Sequence, residues 1–371
     1  MDKAESTVRD ILAMAEVGCD GEQPWDLNVT SKDFYRRLLG QGAMALGETY
    51  MDGLWECEQL DVFIDKVLRA GLEHKISMWT LLGPVIWSKL VNLQNRRRAF
   101  DIGKHHYDIG NELFKLMLDE SMTYTCGYWK DADNLADAQE AKLDLVCRKM
   151  GLEAGMRVLD IGCGWGSFAR FAAQRYAVKV VGVTVSQEQI DLGRERCAGL
   201  DVDLRYQDYR DVEGRFDRVV SIGMFEAVGP KNYRTYMKTV ERCLEDDGLF
   251  LLHTIGTNTP NLQADPWTIK YIFPGGYLPL QKQIDAAAQG IFIMEDWHNF
   301  GADYDPTLMA WMTNVDASRE QITGLGYDER FYRMWRYWLL AAAGSARARR
   351  NQLWQMVFSK KGVDNGYLPV R

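Results

Sequence analysis

The sequence predicts an α/β protein: an open, mostly parallel β-sheet with helices on both faces, preceded by a helical N-terminal domain. After Met150, short β-branched runs alternate with segments of helical period, a pattern typical of parallel sheets. The first run ends in a glycine-rich turn that opens the next helix. The first hundred residues instead show helical periodicity and no clear alternating strand. We therefore expect a helical domain over residues 1–100 and a sheet domain over residues 101–371.

Two segments of the N-terminal domain show the helical pattern most directly. Residues 31–39 begin with Ser31, whose hydroxyl can accept a hydrogen bond from a backbone N–H of the first turn. The segment from Asp61 to Leu72 places four apolar side chains near one face, namely Val62, Phe63, Val67 and Leu68. Both segments are expected to be helices.

The sheet domain contains seven candidate strands. Five β-branched runs are expected to form its parallel part: Arg157–Ile161, Val178–Val185, Val202–Tyr206, Phe216–Ile222 and Leu249–Ile255. Helical patterns fill the gaps near residues 167–176, 187–198 and 231–245. Two later runs, Ile291–Glu295 and Gln355–Ser359, are expected to close the sheet as an edge hairpin.

Composition and charge exclude several classes of protein. With 47% hydrophobic and 26% charged residues in a chain of 371, the sequence is neither disordered nor collagen-like. A formal net charge of −8 disfavours a general nucleic-acid binder. The seven cysteines include no Cys-x-x-Cys pair and are expected to be reduced intracellular thiols. The N-terminus lacks a signal-peptide core, and the apolar stretch from Ile76 to Trp87 is shorter than the roughly 20 residues of a spanning helix. We therefore expect a cytoplasmic protein.

The glycine-rich turn is the most informative local motif. RVLDIGCGWGS places Asp160 at a strand end and three glycines in the turn, Gly162, Gly164 and Gly166. A dinucleotide fingerprint would need glycine where Ser167 stands, and no Gly-Lys-Ser/Thr phosphate loop is present. The Asp-x-Gly-x-Gly-x-Gly form resembles the first motif of methyltransferases that use S-adenosylmethionine (SAM). The alternative is a tight strand-to-helix turn without a ligand.

Polar residues also follow the second and third predicted strands. The second strand of such methyltransferases usually ends in an acidic residue that holds the ribose, whereas VVGVTVSQEQ offers neutral hydrogen-bonding groups at Thr184, Ser186 and Gln189. Glu188 is an alternative ribose partner. After the third strand, Asp208 and Tyr209 are placed to meet the adenine edge and face, the alternative being a polar loop with a packing tyrosine.

Eight longer stretches, spread over nearly the whole chain, carry a more specific resemblance. They are LGETYMDGLWE (46–56), HYDIGNELF (106–114), TYTCGYWKDADNLADAQEAKL (123–143), VLDIGCGWG (158–166), SIGMFEAVGPKNY (221–233), LLHTIG (251–256), KYIFPGGYLP (270–279) and MEDWHNFGADYDPTLMAW (294–311). In this order they resemble the cyclopropane-fatty-acyl-phospholipid synthase family. The resemblance implies a class I SAM-dependent methyltransferase domain with a seven-stranded, Rossmann-like sheet. The N-terminal domain resembles that of the bacterial phospholipid enzymes.

The reaction implied by the resemblance is methylene transfer from SAM to a cis double bond in a phospholipid acyl chain, giving a cyclopropane ring. An olefin is a poor nucleophile, so the methyl donor must be held close and in line with it. Methyl transfer leaves a carbocation, and ring closure then requires a base for one proton of the added methyl. The implied partners are SAM, a bicarbonate ion as that base, unsaturated phospholipids at the inner face of the membrane, and a second copy of the chain in a homodimer.

The resemblance also implies which residues do this. Side chains matching the family's bicarbonate site are Cys126, Glu226, His253 and Tyr304, helped by the backbone of Ile255. The residues matching SAM contacts are Tyr124, Thr125, Asp160, Gly162, Gly164, Trp165, Gly166, Thr184, Ser186, Gln189, Asp208, Tyr209 and Arg210. Taken singly, each has an ordinary structural alternative, such as a buried cysteine, a core histidine or a helix cap. No paired ligand spacing supports a zinc site at Cys126 and His253, so no metal is expected.

Two departures from the family keep other activities open. Many relatives have histidine where Ala227 stands, and relatives carry a cysteine where Ala342 stands. One rival keeps the fold and cofactor but stops at a methyl or methylene branch. A rival from another class is a non-catalytic lipid-binding protein of the same fold.

Membrane contact is expected from a basic window in an otherwise acidic chain. Between Lys66 and Lys104 there are eight lysines and arginines against two acidic residues, a net charge of +6. The window also contains the apolar segment ISMWTLLGPVIWSKLV. Basic residues beside such a segment suit shallow docking on anionic lipid. The alternative is a linker helix with a solvated run of charges.

Overall fold

The structure is a computed structural model of the chain, and it describes residues 2–72, 110–259 and 265–371. These residues form two compact units. Of the described residues, the helical unit contains 2–72, 265–274 and 304–350, and the sheet unit contains 110–259, 275–303 and 351–371. The predicted boundary at residue 100 lies outside the described residues. The grouping of 304–350 with the N-terminal helices was not expected from the sequence.

The helices of the described residues are, in chain order, α1 (Lys3–Ala13), α2 (Asp33–Gln41), α3 (Ala43–Met51), α4 (Leu60–Arg69), α5 (Asn111–Met117), α6 (Leu135–Lys149), α7 (Ser167–Tyr176), α8 (Gln187–Arg196), α9 (Tyr233–Cys243), α10 (Pro266–Tyr271), α11 (Gln281–Ala288), α12 (Tyr304–Ala317), α13 (Arg319–Gly324) and α14 (Glu329–Arg347). The strands are β1 (Asn28–Val29), β2 (Trp55–Glu56), β3 (Arg157–Ile161), β4 (Lys179–Thr184), β5 (Val202–Tyr206), β6 (Phe216–Ile222), β7 (Leu244–Gly256), β8 (Ile293–Asn299) and β9 (Gln352–Ser359). Short 3₁₀ turns span Tyr209–Asp211, Phe225–Ala227 and Gly301–Asp303.

The sheet unit is built on a seven-stranded sheet of order β5-β4-β3-β6-β7-β9-β8. The first five strands of this order are parallel, which confirms the predicted α/β class. Strands β3, β5 and β6 have the predicted bounds, whereas β7 begins five residues earlier than predicted. Because parallel strands end at the same edge, the turns after β3, β4, β5 and β6 all lie along one edge of the sheet.

The predicted edge hairpin is wrong in one respect. Strands β8 and β9 do pair in antiparallel fashion, but β9 lies inside the sheet, where it also pairs antiparallel with β7. Only β8 is an edge strand, and α12, α13 and α14 intervene between the two strands in the chain. The error has a physical cause: hydrophobic runs identify strands, but their neighbours are set by distant pairing that periodicity does not report.

The two faces of the sheet bury different apolar clusters. Phe250 and Leu251 are neighbours on β7 but enter opposite clusters, because successive side chains of a strand point to opposite faces. Leu251 packs with Leu143 and Val146 of α6, so this helix covers that face of the sheet. Helix α6 begins at Asn134, whose side chain accepts a hydrogen bond from the Asp137 backbone N–H at 3.0 Å.

The helical unit has an aromatic core. The Trp55 ring lies 5.0 Å from Tyr50 and 5.8 Å from Phe63, and its Nε1 donates to Thr49 Oγ1 at 3.0 Å. Phe63 and Val67 are buried as predicted, although α4 ends at Arg69 rather than Leu72. Helix α2 begins at Asp33, so its N-cap is Lys32 and the predicted cap at Ser31 is wrong, although Ser31 Oγ accepts from the Asp33 N–H at 3.3 Å. The paired two-residue strands β1 and β2 were not predicted.

All seven cysteines lie in the described part of the chain, and every one is buried and outside any disulfide. No helix that the structure describes is long and apolar enough to cross a bilayer. Most of the basic window from Lys66 to Lys104, with the apolar segment inside it, lies outside the described residues.

Gly344 provides a test of the helical unit. A Cβ at this position of α14 would lie 2.4 Å from the Asp61 carbonyl oxygen and 2.9 Å from Ile64 Cβ on α4. We expect Gly344→Ala to lower the free energy of unfolding by about 1–3 kcal/mol, because two helix backbones would have to separate.

Urea unfolding followed by circular dichroism measures the effect. The matched control is Gly40→Ala on α2, where no atom of the described chain lies within 4 Å of the added Cβ. The control should be neutral or slightly stabilising. Equal stability of the two variants would contradict the close approach of α14 to α4.

Candidate active site

The glycine-rich turn after β3 leaves open space at the shared strand edge. Its three glycines have φ values of 85°, 53° and 78°, in the left-handed region that other residues rarely adopt. A Cβ on Gly162 would lie 2.6 Å from Met224 Cβ, whereas a Cβ on Gly164 would meet nothing described closer than Gln189 Nε2, at 4.0 Å. The turn therefore has one packed side and one open side, over which a ligand can approach the backbone.

Asp160, at the end of β3, is buried beneath this turn, and its Oδ2 has no hydrogen-bond partner among the described residues. Burial raises the pKa of this carboxyl to about 7, and the nearby positive charge of Lys142 opposes the shift. A buried carboxylate oxygen without a partner is costly unless a ligand donates to it. Asp160 thus fits the predicted role as an acceptor for a cofactor.

Lys142 was not among the site residues predicted from the sequence. It is 1% exposed on α6, and its Nζ donates to Thr125 Oγ1 at 2.7 Å. Burial lowers the pKa of its ammonium to about 8, while Cys126, Asp119 and Asp160 act in the opposite direction. The lysine therefore brings a positive charge to the predicted residues Thr125, Cys126 and Asp160.

A signal for Lys142 was present in the sequence. The buried face of α6 repeats at helical spacing and mixes apolar with polar residues: Leu135, Ala138, Gln139, Lys142, Leu143, Val146 and Lys149. Gln139 on this face donates to the backbone oxygens of Thr123 and Thr125, at 3.3 and 2.7 Å. Polar residues at positions that the period assigns to the core indicate a function or a network.

The three predicted ribose partners are brought together. Thr184 Oγ1 donates to Gln189 Oε1 at 2.9 Å, and the Gln189 backbone N–H donates to Ser186 Oγ at 3.4 Å, where Ser186 caps α8. All three are buried, and Gln189 Nε2 is the described atom nearest to the open side of Gly164. These neutral groups therefore lie next to the glycine turn, and their role toward a ribose stays a prediction.

The residues predicted for the adenine are only partly placed as expected. Asp208 Oδ1 accepts from both the backbone N–H and the Nε of Arg210, each at 2.9 Å, so these two side chains form an ion pair. The Tyr209 ring lies 5.2 Å from Tyr236, at the edge of the core. Tyr209 therefore packs against the core, as in the alternative of a polar loop with a packing tyrosine. Its ring remains close to the strand edge.

An aromatic cluster joins two more predicted cofactor residues. The Phe114 ring on α5 lies 5.0 Å from Tyr124 and 4.9 Å from Trp165. Trp165 Nε1 donates to Asn111 Oδ1 at 2.7 Å. Asn111 and Phe114 belong to the HYDIGNELF stretch, so this stretch supports the glycine turn from α5.

The predicted ion site centres on Glu226, in the 3₁₀ turn after β6. Its Oε1 accepts from the Ile255 backbone N–H at 2.6 Å, and its Oε2 is shielded from solvent without a partner among the described residues. Burial raises the pKa of Glu226 to about 7, although the hydrogen bond from Ile255 acts in the opposite direction. The carboxyl therefore has one fixed oxygen and one available oxygen.

His253, two residues before Ile255 on β7, presents a second unpaired atom. The residue is 1% exposed, and its Nε2 has no hydrogen-bond partner within the described chain. Burial, with the positive charges of Lys142 and Lys149, lowers its pKa well below the ordinary value for histidine. The ring is therefore neutral at physiological pH.

The other two predicted ion-site residues are placed differently. Cys126 is fully buried, and its Sγ donates to the Gly127 carbonyl oxygen at 3.2 Å. Tyr304 is the first residue of α12, which is grouped with the helical unit. The residue before it, Asp303, accepts from the Trp129 backbone N–H at 2.8 Å. Four of the five predicted residues thus belong to the sheet unit, and Tyr304 follows directly on its last 3₁₀ turn.

The two family departures lie in different units. Ala227 ends the 3₁₀ turn that carries Glu226. Ala342 lies in the middle of α14, in the helical unit, where its side chain is half-buried. Ala227 therefore stands beside the candidate ion site in the chain, whereas Ala342 belongs to a separate helix.

Comparison with known proteins gives consistent relatives. A family profile described as mycolic acid cyclopropane synthetase matches residues 94–356. The cyclopropane-fatty-acyl-phospholipid synthase of Escherichia coli strain K12 is 54% identical over 365 residues, which cover 98% of this chain and 94% of that protein. A probable fatty acid methyltransferase of Pseudomonas putida is 39% identical over 265 residues, 67% of this chain and 66% of that protein. The solved structure of mycolic acid cyclopropane synthase CmaA1, complexed with SAH and CTAB, has a TM-score of 0.66 at 31% identity and covers 70% of this chain and 98% of its own.

These matches agree with the architecture. The solved relatives and the strand order together show the class I SAM-dependent methyltransferase fold, which confirms the predicted fold class. The family match covers more than half of the chain, and the E. coli relative covers nearly all of it. The protein is therefore a SAM-dependent methyltransferase, and the chain belongs to the cyclopropane synthase family.

Proposed function

We propose that the chain transfers a methylene group from SAM to the cis double bond of unsaturated acyl chains in membrane phospholipids and so forms a cyclopropane ring. The observation that carries the proposal is the pair of shielded, unpaired atoms Glu226 Oε2 and His253 Nε2. Burying a polar atom without a hydrogen-bond partner costs free energy, unless a bound group forms a hydrogen bond with it. The name of the E. coli relative, at 54% identity, supports phospholipid as the substrate.

The edge after β3, β4 and β5 fits SAM. The left-handed glycines leave one side of the turn open, Asp160 Oδ2 is available to accept a hydrogen bond, and Thr184, Ser186 and Gln189 offer neutral polar groups. When bound, SAM supplies an electrophilic methyl group. The protein holds the methyl donor beside the olefin and excludes water. Two reactants held in position react far faster than two that meet by diffusion.

Ring closure requires that one proton be removed from the added methyl group. Bicarbonate, when bound, supplies the base for this proton. Ile255 N–H fixes one oxygen of Glu226, so that the other oxygen is directed to the ion, and His253 Nε2 offers a second contact. We place Cys126 and Tyr304 in the same site by resemblance to the family.

The charges around such a site are compatible with an anion. Glu226 and a bicarbonate ion would repel each other in a dry site, but Lys142 contributes a buried positive charge. Lys142 is bonded to Thr125, the residue next to Cys126. We therefore include Lys142 among the residues that make anion binding tolerable.

The substrate must be reached from a bilayer, and we propose a peripheral protein at the inner face of the membrane. Support comes from the net charge of +6 between Lys66 and Lys104 and from the apolar segment within that window. A homodimer is also proposed, on the family resemblance, and analytical ultracentrifugation tests it.

The product distinguishes the proposal from its rivals. Expressed in cells that lack their own cyclopropane synthase, the chain should convert unsaturated phospholipid acyl chains to products one CH2 heavier. Gas chromatography–mass spectrometry detects the mass, and proton NMR detects the cyclopropyl hydrogens. The control is the same host with an empty vector. A methyl-branched product would contradict ring formation, and SAM binding without any new lipid would favour a non-catalytic protein.

Glu226→Gln tests the ion site. The amide oxygen can keep the bond from Ile255, but the NH2 group that then faces the ion cannot accept a hydrogen bond from the bicarbonate O–H. Turnover should therefore fall about 10- to 100-fold, as expected for a lost hydrogen bond to a charged group. SAM affinity, measured by calorimetry, should change less than about twofold. Exposed Glu213→Gln is the control. Equal losses of turnover and SAM affinity would contradict the assigned role.

The same residue predicts a dependence on pH. The pKa of Glu226 is raised to about 7, so its carboxylate form is lost as the pH falls through that value. If the carboxylate accepts the bicarbonate O–H, turnover at saturating bicarbonate should fall below about pH 7.

Vesicle binding tests the docking site. Replacing Arg96, Arg97 and Arg98 with glutamine should weaken binding to anionic vesicles by about 1 kcal/mol per residue, because each charge is attracted to the negative surface. Sedimentation with vesicles at low salt measures this. The control removes the same charge outside the basic window, at Arg175, Lys179 and Arg205. Unchanged binding of the first variant would reject the basic window as the docking site.

A further inference from the structure

Three polar side chains form a row across the antiparallel part of the sheet. Gln355 on β9 is opposite His253 on β7 and also opposite His298 on β8. Directly opposed residues project from the same face of a sheet, so the row His253–Gln355–His298 lies on one face. It is the face covered by α6, since Leu251 and Val357, each two residues away along its strand, pack with Leu143 of that helix.

The row is closely packed and connected by hydrogen bonds. Gln355 is fully buried, and its Nε2 lies 3.2 Å from His253 Nδ1. The Phe300 ring lies 5.7 Å from His253 and 5.0 Å from His298, so it packs against both imidazoles. In this orientation of the Gln355 amide the nitrogen can only donate, so His253 Nδ1 accepts the bond. A neutral imidazole that accepts at Nδ1 carries its proton on Nε2.

The far end of the row is anchored by a buried ion-pair cluster. Lys149, 1% exposed at the end of α6, has its Nζ 3.1 Å from His298 Nδ1 and 3.7 Å from Asp296 Oδ2. Arg371 holds Asp296 with two bonds of 2.7 Å. Tyr367 Oη donates to the Lys149 carbonyl oxygen at 2.9 Å. This cluster fixes His298 beside Gln355 and keeps positive charge near both histidines.

The charged groups around His253 all disfavour its protonation. Lys142 and Lys149 approach from α6 and His298 from β8. The charges of the two lysines add to the effect of burial, and a protonated His298 would act in the same direction. His298 itself is kept neutral, since burial and the charges of Lys149 and Arg371 lower its pKa to about 4. A proton arriving at His253 would therefore face two lysines in a dry interior. His253 is poorly suited to be the base of the reaction.

We propose that Gln355 is a positioning residue, which holds His253 as a neutral imidazole with its proton on Nε2, so that the ring donates a hydrogen bond to the anion bound beside Glu226. The inference rests on the proposed function in assuming that anion. The other tautomer would present a lone pair to a negative ion, which is repulsive. Bicarbonate thus keeps the role of base, and His253 orients it.

The first test observes the tautomer directly, without lipid or bicarbonate. In protein labelled with ¹⁵N-histidine, NMR separates protonated from unprotonated ring nitrogens, and the chain has only five histidines to assign. Substitution of the other four in turn identifies the His253 signals. We expect a proton on Nε2 and none on Nδ1 across pH 6–8. A proton on Nδ1, or a doubly protonated ring at pH 7, would overturn the proposal.

The second test changes the partner. In Gln355→Glu a carboxylate replaces the amide donor and accepts a hydrogen bond from Nδ1–H, so the tautomer should switch and turnover should fall at least about tenfold. SAM affinity should stay within about twofold. Gln352→Glu is the matched control on the same strand, because its Oε1 already accepts from Asn299 Nδ2 and a carboxylate can do the same. The control should leave tautomer and turnover unchanged.

Gln355→Leu covers the case in which the buried carboxylate prevents folding. It removes the donor without adding charge, and His253 should then show both tautomers together with reduced turnover. Wild-type tautomer and turnover in either folded variant would overturn the role of Gln355. The proposed base is tested separately by removing bicarbonate. Turnover that does not respond to bicarbonate, with His253 protonated on Nε2, would reject the base while the assignment of Gln355 stands.

Discussion

Much of the site depends on one constraint: α6 buries two lysines on the face that covers the sheet. Lys142 and Lys149 are seven residues apart, about two helical turns, so their side chains leave the helix in the same direction. A buried ammonium is tolerated only with partners around it. Lys142 contacts Thr125 near Asp160, and Lys149 contacts His298 and Asp296. One helix therefore places a lysine near the predicted cofactor edge, near the proposed ion site and near the row His253–Gln355–His298.

In this arrangement the lysines of α6 are separate from the side chains that contact the proposed proton-accepting ion. The side chains closest to the proposed ion are a neutral imidazole and a carboxyl whose pKa is raised, whereas two buried lysines, whose pKa values are lowered to about 8 and about 7, lie on α6. A neutral donor such as His253 holds an anion without neutralising it, and so leaves it basic. A site that placed an arginine directly on the ion would bind it more tightly and weaken it as a base.

The sequence was a good guide where local pattern decides the structure. The β-branched runs gave the bounds of β3, β5 and β6, and the glycine turn gave its left-handed backbone, because both are local properties. The insertion of β9 beside β7 was not predictable, since pairing partners are set by distant contacts. Resemblance predicted Glu226, His253 and the Ile255 backbone as parts of one site, and the structure adds that the Ile255 N–H donates to one oxygen of Glu226. Lys142, Lys149 and Gln355 were missed because charged and amide side chains are normally exposed.

The burial of every cysteine also determines how the protein will respond to thiol reagents. The thiol of Cys126 is shielded from solvent, and burial raises the pKa of Cys147 and Cys163, which keeps their thiolate fraction small. Labelling of the native protein can proceed only when part of it opens transiently. Inactivation by such a reagent would therefore measure how often the folded protein opens, and it would not identify a nucleophilic cysteine.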